Sequence, residues 1–201
     1  MLYIKEATDV PKQQYALLAQ LLNTAWKELI VTTPEHLESR FASGNKFLIV
    51  YGNSAFVDKE NLAQEYGIAL PNEDIPLGLL ETITLRTNGV MDQVPKTYGE
   101  LTNNGLWKLL VENADTLIMV DATKMPTGPK EVTGLMMNSV KEYLCQTSLE
   151  YAWTFTPDIE GVKKWHESFG AKNSHYRIPN ARPNWKEPAV NFMDYSHLIK
   201  K

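Results

Sequence analysis

The sequence predicts an α/β (α+β) domain, a single mixed β-sheet flanked by helices. Three observations carry that prediction. Apolar runs of strand length recur along the chain, as in Lys46–Tyr51, Thr116–Val120 and Glu150–Phe155. Between them lie stretches with apolar residues at three- and four-residue spacing, such as Tyr15, Leu17, Leu18, Leu21, Leu22, Ala25 and Trp26. The two patterns alternate rather than segregate, which places helices against the faces of a sheet. No repeat, low-complexity tract or linker interrupts them, so one domain is expected over residues 1–201.

Leu2, Tyr3 and Ile4 open with a short strand, and Thr8-Asp9-Val10-Pro11 supplies a start signal for the first helix. A second helix is expected over Pro34–Ala42, because Thr33-Pro34-Glu35 starts it well and Ser43-Gly44-Asn45 stops it. Lys46–Tyr51 is apolar enough to be covered on both faces. From Gly52 to Asp74 the pattern weakens to an insertion with a short helix around Val57–Ala63. Ile75–Arg86 resumes as a long strand that sets Leu79, Glu81, Ile83 and Leu85 on one face. A turn-rich connection with Pro95, Tyr98, Gly105 and Trp107 follows, leading to a central strand at Thr116–Val120.

The stretch Asp115–Leu144 organises the rest. A buried strand feeds the turn Met125-Pro126-Thr127-Gly128-Pro129, then a helix carrying Val132, Leu135, Met136, Val140, Tyr143 and Leu144. A loop entering a helix turns unpaired N–H groups outward at the positive end of the helix dipole, which suits an anion. The same arrangement also occurs as plain α/β framework. After it come a strand at Glu150–Phe155, a helix from Ile159 to Phe169 stopped by Gly170, and strands at Ser174–Ile178 and Val190–Met193.

Composition excludes several classes. A net charge of −4 with Lys and Arg scattered argues against a nucleic-acid partner. The apolar runs fall short of the roughly 20 residues a bilayer needs, and no secretory signal is read at the N-terminus, so a soluble cytoplasmic protein is expected. The single cysteine, Cys145, permits no intrachain disulfide and reads as a half-buried structural thiol. His36, His166, His175 and His197 lack close ligand spacing, so no metal is expected.

This order, with a phosphate-type loop after the central strand, resembles the GCN5-related N-acetyltransferase (GNAT) superfamily, whose members bind acetyl-CoA or another acyl-CoA. In that family the pyrophosphate loop reads Gln/Arg-x-x-Gly-x-Gly/Ala. Gly134 stands on the last motif position, Val132 where the middle Gly is usual, and Pro129 where Gln or Arg is usual. Gly128 and Lys130 partly compensate through backbone freedom and charge. The resemblance implies cofactor contacts at Met119, Val120, Asp121 and Ala122 of the central strand, and at Gly128, Lys130, Val132, Thr133 and Gly134 beyond it.

A second segment, Gly161–Ala171, is similar to the family's Phe-Tyr-x-x-x-Gly-Phe helix, with His166 on the Tyr position. In that family the Tyr commonly protonates the departing CoA thiolate, and a His titrating near neutrality is able to exchange a proton there. Trp165-His166 with Gly170-Ala171, and Arg182 in the last loop, are also similar to GNAT-like domains of polyketide loading modules. Those use a His and a Thr on an acyl thioester, with the Arg meeting a carboxylate.

The resemblance therefore implies transfer of an acyl group from CoA to an amine of a small molecule or peptide. Strand-edge backbone groups would hold the pantetheine and polarise the carbonyl. His166 would be the acid and Glu81 the base, with Arg182 binding substrate. Glu81 on an otherwise apolar face requires a partner or a raised pKa, and Asp121 at the strand end reads as a loop-fixing residue. Decarboxylation or S-acyl transfer, and a non-catalytic binding module, are the alternatives. Oligomeric state is open, a homodimer included.

Overall fold

The computed structural model describes residues 1–26, 31–181 and 188–200. Its strands are β1 (Tyr3–Glu6), β2 (Phe47–Asn53), β3 (Asp74–Leu85), β4 (Thr116–Lys124), β5 (Tyr151–Pro157), β6 (Lys172–Ile178) and β7 (Val190–Asp194). Its helices are α1 (Tyr15–Trp26), α2 (Pro34–Ala42), α3 (Lys59–Tyr66), α4 (Tyr98–Thr102), α5 (Glu131–Leu144) and α6 (Glu160–Ser168). The strands form one mixed sheet in the order β1-β2-β3-β4-β5-β7-β6, with β4 and β5 parallel. The expected fold class is the one observed.

The chain divides into two compact units. The first comprises Met1–Glu81 with Asp121–Ser139, the second Thr82–Val120 with Val140–Lys201. In the first, β1 and β2 pair antiparallel from Tyr3↔Tyr51 to Glu6↔Leu48, and β2 pairs antiparallel with β3. Of the stripe predicted for α1, Tyr15, Leu17, Leu18, Leu21 and Leu22 are buried, while Ala25 is exposed and Trp26 half-buried at the helix end. α2 starts and stops where expected, with the Thr33 hydroxyl accepting from the His36 N–H at 3.3 Å. The helix inside the insertion is displaced from Val57–Ala63 to Lys59–Tyr66. Asp58 caps its start and Gly67, at φ +65°, ends it in the left-handed conformation that glycine adopts without strain.

In the second unit β7 lies between β5 and β6, antiparallel to both. Trp153, Phe155 and Tyr176 pack around Phe192. The connection after β3 contains α4, which the sequence reading passed over as turns. Its signal is the capping box Thr97-x-x-Glu100, in which each residue bonds the other's backbone N–H. Trp107 is buried and its Nε1 donates to the Thr82 carbonyl at 2.8 Å. Among the described residues no helix is long and apolar enough to cross a membrane.

Candidate active site

The segment from β4 into α5 is built from local bonds. The Met125 N–H donates to the Leu77 carbonyl at 2.8 Å, and the Gly128 N–H closes a turn onto the Met125 carbonyl at 2.8 Å. Lys124 Nζ fastens that turn by donating to the carbonyls of Gly128, at 2.7 Å, and Met125, at 3.1 Å. Partial burial lowers the Lys124 pKa. β4 runs to Lys124, four residues past the predicted strand, because the polar ending Asp121-Ala122-Thr123-Lys124 hides the continuation.

α5 begins at Glu131, so its N–H groups without a helical partner belong to Lys130, Glu131, Val132 and Thr133. That of Val132 is spent on the Pro129 carbonyl at 3.3 Å. Val132 is 0% exposed and serves as core. It packs over Gly78, where an added Cβ would lie 2.6 Å from Val132 Cγ1. The Val at the middle-Gly position is thus a packing residue. Gly134 lies one residue beyond the free N–H groups, and a Cβ there would meet nothing within 4 Å. A glycine inside a helix costs about 0.5–1 kcal/mol relative to alanine, and no neighbour in the structure requires this one. Thr127 Oγ1, in the turn before α5, is buried without a hydrogen-bond partner. An unsatisfied hydroxyl, free helix-start N–H groups and the exposed Lys130 fit an anionic group, while Glu131 in the first turn opposes it.

Glu81 has the partner its apolar face demands. Arg40 Nη1 donates to its Oε1 at 2.9 Å, and Arg40 Nη2 donates to Thr32 Oγ1 at 3.1 Å. Burial lifts Glu81 to about 7, against the pull of Arg40 and helped by the charge of Asp121. Asp121 accepts from Trp26 Nε1 at 2.8 Å and from the Thr123 hydroxyl, and burial raises its pKa too. The loop-fixing role expected for Asp121 agrees with these bonds. Glu81, 1% exposed, is enclosed rather than presented. Arg40 was missed because a charged residue on α2 reads as surface, although its spacing from the buried Leu37 puts it on the same face.

His166 stands on α6, whose start is held by Asp158. That carboxylate accepts from Lys163 Nζ at 3.0 Å, Arg177 Nε at 2.6 Å and Asn191 Nδ2 at 2.8 Å. His166 Nδ1 lies 2.8 Å from Tyr195 Oη, and the Trp165 ring meets the imidazole edge-on at 4.7 Å between centroids. Burial pushes the imidazole down to about 4 and raises the Tyr195 phenol. Near pH 7 His166 is therefore neutral, a hydrogen-bond donor and acceptor rather than a charged acid. Tyr195 was not singled out in the sequence, since nothing near it resembles a site motif.

On β5, Thr154 Oγ1 donates to the Met119 carbonyl at 2.9 Å, at the last pair of the β4–β5 ladder, which runs from Thr116↔Tyr151 to Met119↔Thr154. Thr156 Oγ1, one step further on the same face, is buried without a partner. Cys145 is half-buried, with Sγ 3.6 Å from the Leu198 carbonyl. Arg182 lies outside the described residues. Among those described, no group of three or more His, Cys, Asp or Glu is arranged to hold a metal ion.

No protein-family model matches this sequence, and no curated protein matches it. Solved structures do. The loading GNATL domain of CurA from Lyngbya majuscula is 14% identical, with 97% of each chain covered and a TM-score of 0.64. Arabidopsis thaliana Naa50, in complex with the bisubstrate analogue CoA-Ac-MVNAL, is 11% identical over 97% of this chain and 98% of its own, at a TM-score of 0.58. The putative acetyltransferase yncA from Salmonella typhimurium, with its cofactor acetyl-CoA, is 10% identical over 96% and 92%, at 0.59. The chain has the GNAT fold, as the likeness over nearly its whole length establishes.

Proposed function

We propose that this protein is an acyl-CoA-dependent N-acyltransferase that moves an acyl group, acetyl in the simplest case, onto an amine of a small molecule or peptide. One observation carries the reading. In a chain of GNAT fold, the turn before α5 gathers the unsatisfied Thr127 hydroxyl and the free N–H groups that begin the helix. The binding of CoA analogues by Naa50 and of acetyl-CoA by yncA supports it.

In this reading Gly128, Lys130, Thr133 and Gly134 hold the anionic end of the acyl-CoA, with Val132 packing beneath. Backbone groups of Met119, Val120, Asp121 and Ala122 hold the pantetheine arm as an added strand, and an N–H there polarises the carbonyl. The acyl-CoA supplies an activated thioester. As the amine nitrogen bonds the acyl carbon the C–S bond breaks, the proton released by the amine ends on the departing sulfur, and His166, neutral, donates a hydrogen bond that stabilises the negative charge gathering there. Glu81, the residue expected as the base, is enclosed with Arg40. Arg182 is a substrate-binding residue.

A thermal-shift titration tests the reading. Acetyl-CoA at 100 times its dissociation constant would add about 2.7 kcal/mol to stability and raise Tm by several degrees. An unchanged Tm at millimolar acetyl-CoA would overturn it.

A second reading rests on the same neutral imidazole. An uncharged N–H donor also suits the charge left on an acyl thioester that loses a carboxylate as carbon dioxide. Carbon dioxide released from malonyl-CoA, and lost in His166→Ala, would establish that chemistry instead.

A further inference from the structure

We propose that Tyr195 is a positioning residue that fixes His166 as the neutral tautomer carrying its proton on Nε2. The assignment follows from counting donors and acceptors around one phenol. Tyr195 Oη has a single proton and two neighbours able to receive it, His166 Nδ1 at 2.8 Å and the His166 carbonyl at 3.4 Å. That carbonyl already accepts from the Phe169 N–H at 3.0 Å and the Ala171 N–H at 3.1 Å, the two bonds that close the end of α6. Its two lone pairs are used, so the phenol proton goes to Nδ1. A neutral imidazole that accepts at Nδ1 carries its hydrogen at Nε2.

Tyr195 is held in place to do this. It is 0% exposed, and its backbone N–H donates to the Ala152 carbonyl of β5 at 2.7 Å. The two rings meet edge to face at 6.1 Å and 74°, while Trp165 closes another side of the imidazole. The burial that keeps His166 uncharged near neutrality also keeps the phenol protonated, so Tyr195 retains the proton that this bond requires. The catalytic consequence rests on the acyltransferase reading: Nε2–H is then the one ring donor able to face a sulfur or oxygen bearing negative charge.

The test is long-range 1H–15N correlation on 15N-histidine-labelled protein at pH 7, beside steady-state kinetics of the wild type and Tyr195→Phe. In the wild type, Nδ1 is expected at the frequency of an unprotonated ring nitrogen and Nε2 at that of a protonated one. In Tyr195→Phe the pattern should shift toward a mixture of tautomers. kcat should fall on the order of 10–100-fold with KM for the acyl-CoA little changed. A proton on Nδ1 in the wild type would overturn the assignment, as would an unaltered His166 pattern in Tyr195→Phe. A changed tautomer with unchanged kcat would overturn the positioning role. Should Tyr195→Phe not fold, the wild-type spectrum decides the tautomer by itself. A wild type with this tautomer and no acyl transfer would refute the acyltransferase reading and leave the assignment standing.

Discussion

Arg40 Nη1 donates to Glu81 Oε1 at 2.9 Å across 41 residues of chain, and both side chains are closed off from solvent. A buried carboxyl lifted to about 7 favours folding in its protonated form. Its contribution is present below its ordinary 4.5 and is lost as pH rises through 7. Removing the guanidinium raises the carboxyl further and extends the loss to higher pH. Arg40→Met is therefore expected to cost about 3–5 kcal/mol at pH 8 and clearly less at pH 5.5, where Glu81 is protonated. Urea unfolding at the two pH values measures it, and equal costs would show that the pair is not ionised.

His166 has the opposite sign. Its folded pKa lies near 4, below the ordinary 6.5. The unfolded chain binds the proton first on acidification, so stability is full above 6.5 and falls as pH drops toward 4. The loss amounts to about 2–3 kcal/mol for this half-buried ring. His166→Gln removes that dependence. The gap in unfolding free energy between wild type and variant should change by about that amount between pH 7.5 and 4.5, and parallel profiles would refute the shift.

Gly134 predicts a trade. In Gly134→Ala the methyl group meets no neighbour within 4 Å, so the free protein should gain about 0.5–1 kcal/mol. If the open space beside Gly134 receives the anionic end of acyl-CoA, the same methyl weakens binding. Tm without ligand should rise while the acetyl-CoA dissociation constant increases. A gain in stability with unchanged affinity would remove Gly134 from the binding residues.

Gly78 and Val132 form one contact and predict one pair of results. Gly78→Ala drives a Cβ to 2.6 Å from Val132 Cγ1 and 3.1 Å from the Thr123 carbonyl, a stiff side chain and a backbone atom. The expected cost is about 1–3 kcal/mol. Val132→Gly restores the motif residue but empties a fully buried position and adds a glycine to a helix, for a loss of about 3 kcal/mol. Calorimetry measures both. Tighter acetyl-CoA binding by Val132→Gly would contradict the packing role.

Much of this molecule is legible in its sequence. Start and stop residues located α2 to the residue, apolar spacing identified α1 and α5, apolar runs marked the strands between them, and Gly170 marked the end of α6. The shortfalls have local causes. β4 was cut short by its polar ending, and α4 was passed over because five residues are too few to show a helical period, although its capping box was written in Thr97 and Glu100.

The sequence by itself determined the alternation of strands and helices, the helix bearing His166 and the strand–turn–helix at Asp115–Leu144. Each of these is encoded in windows shorter than one element. Only the tertiary structure decided that Glu81 is enclosed by Arg40, that Val132 faces Gly78, and that Tyr195 meets His166 across 29 residues. The physical reason is that charge state and tautomer depend on burial and on a few ångströms of separation between residues far apart in the chain. Helix packing and sheet register set those separations, and periodicity within any one segment does not record them.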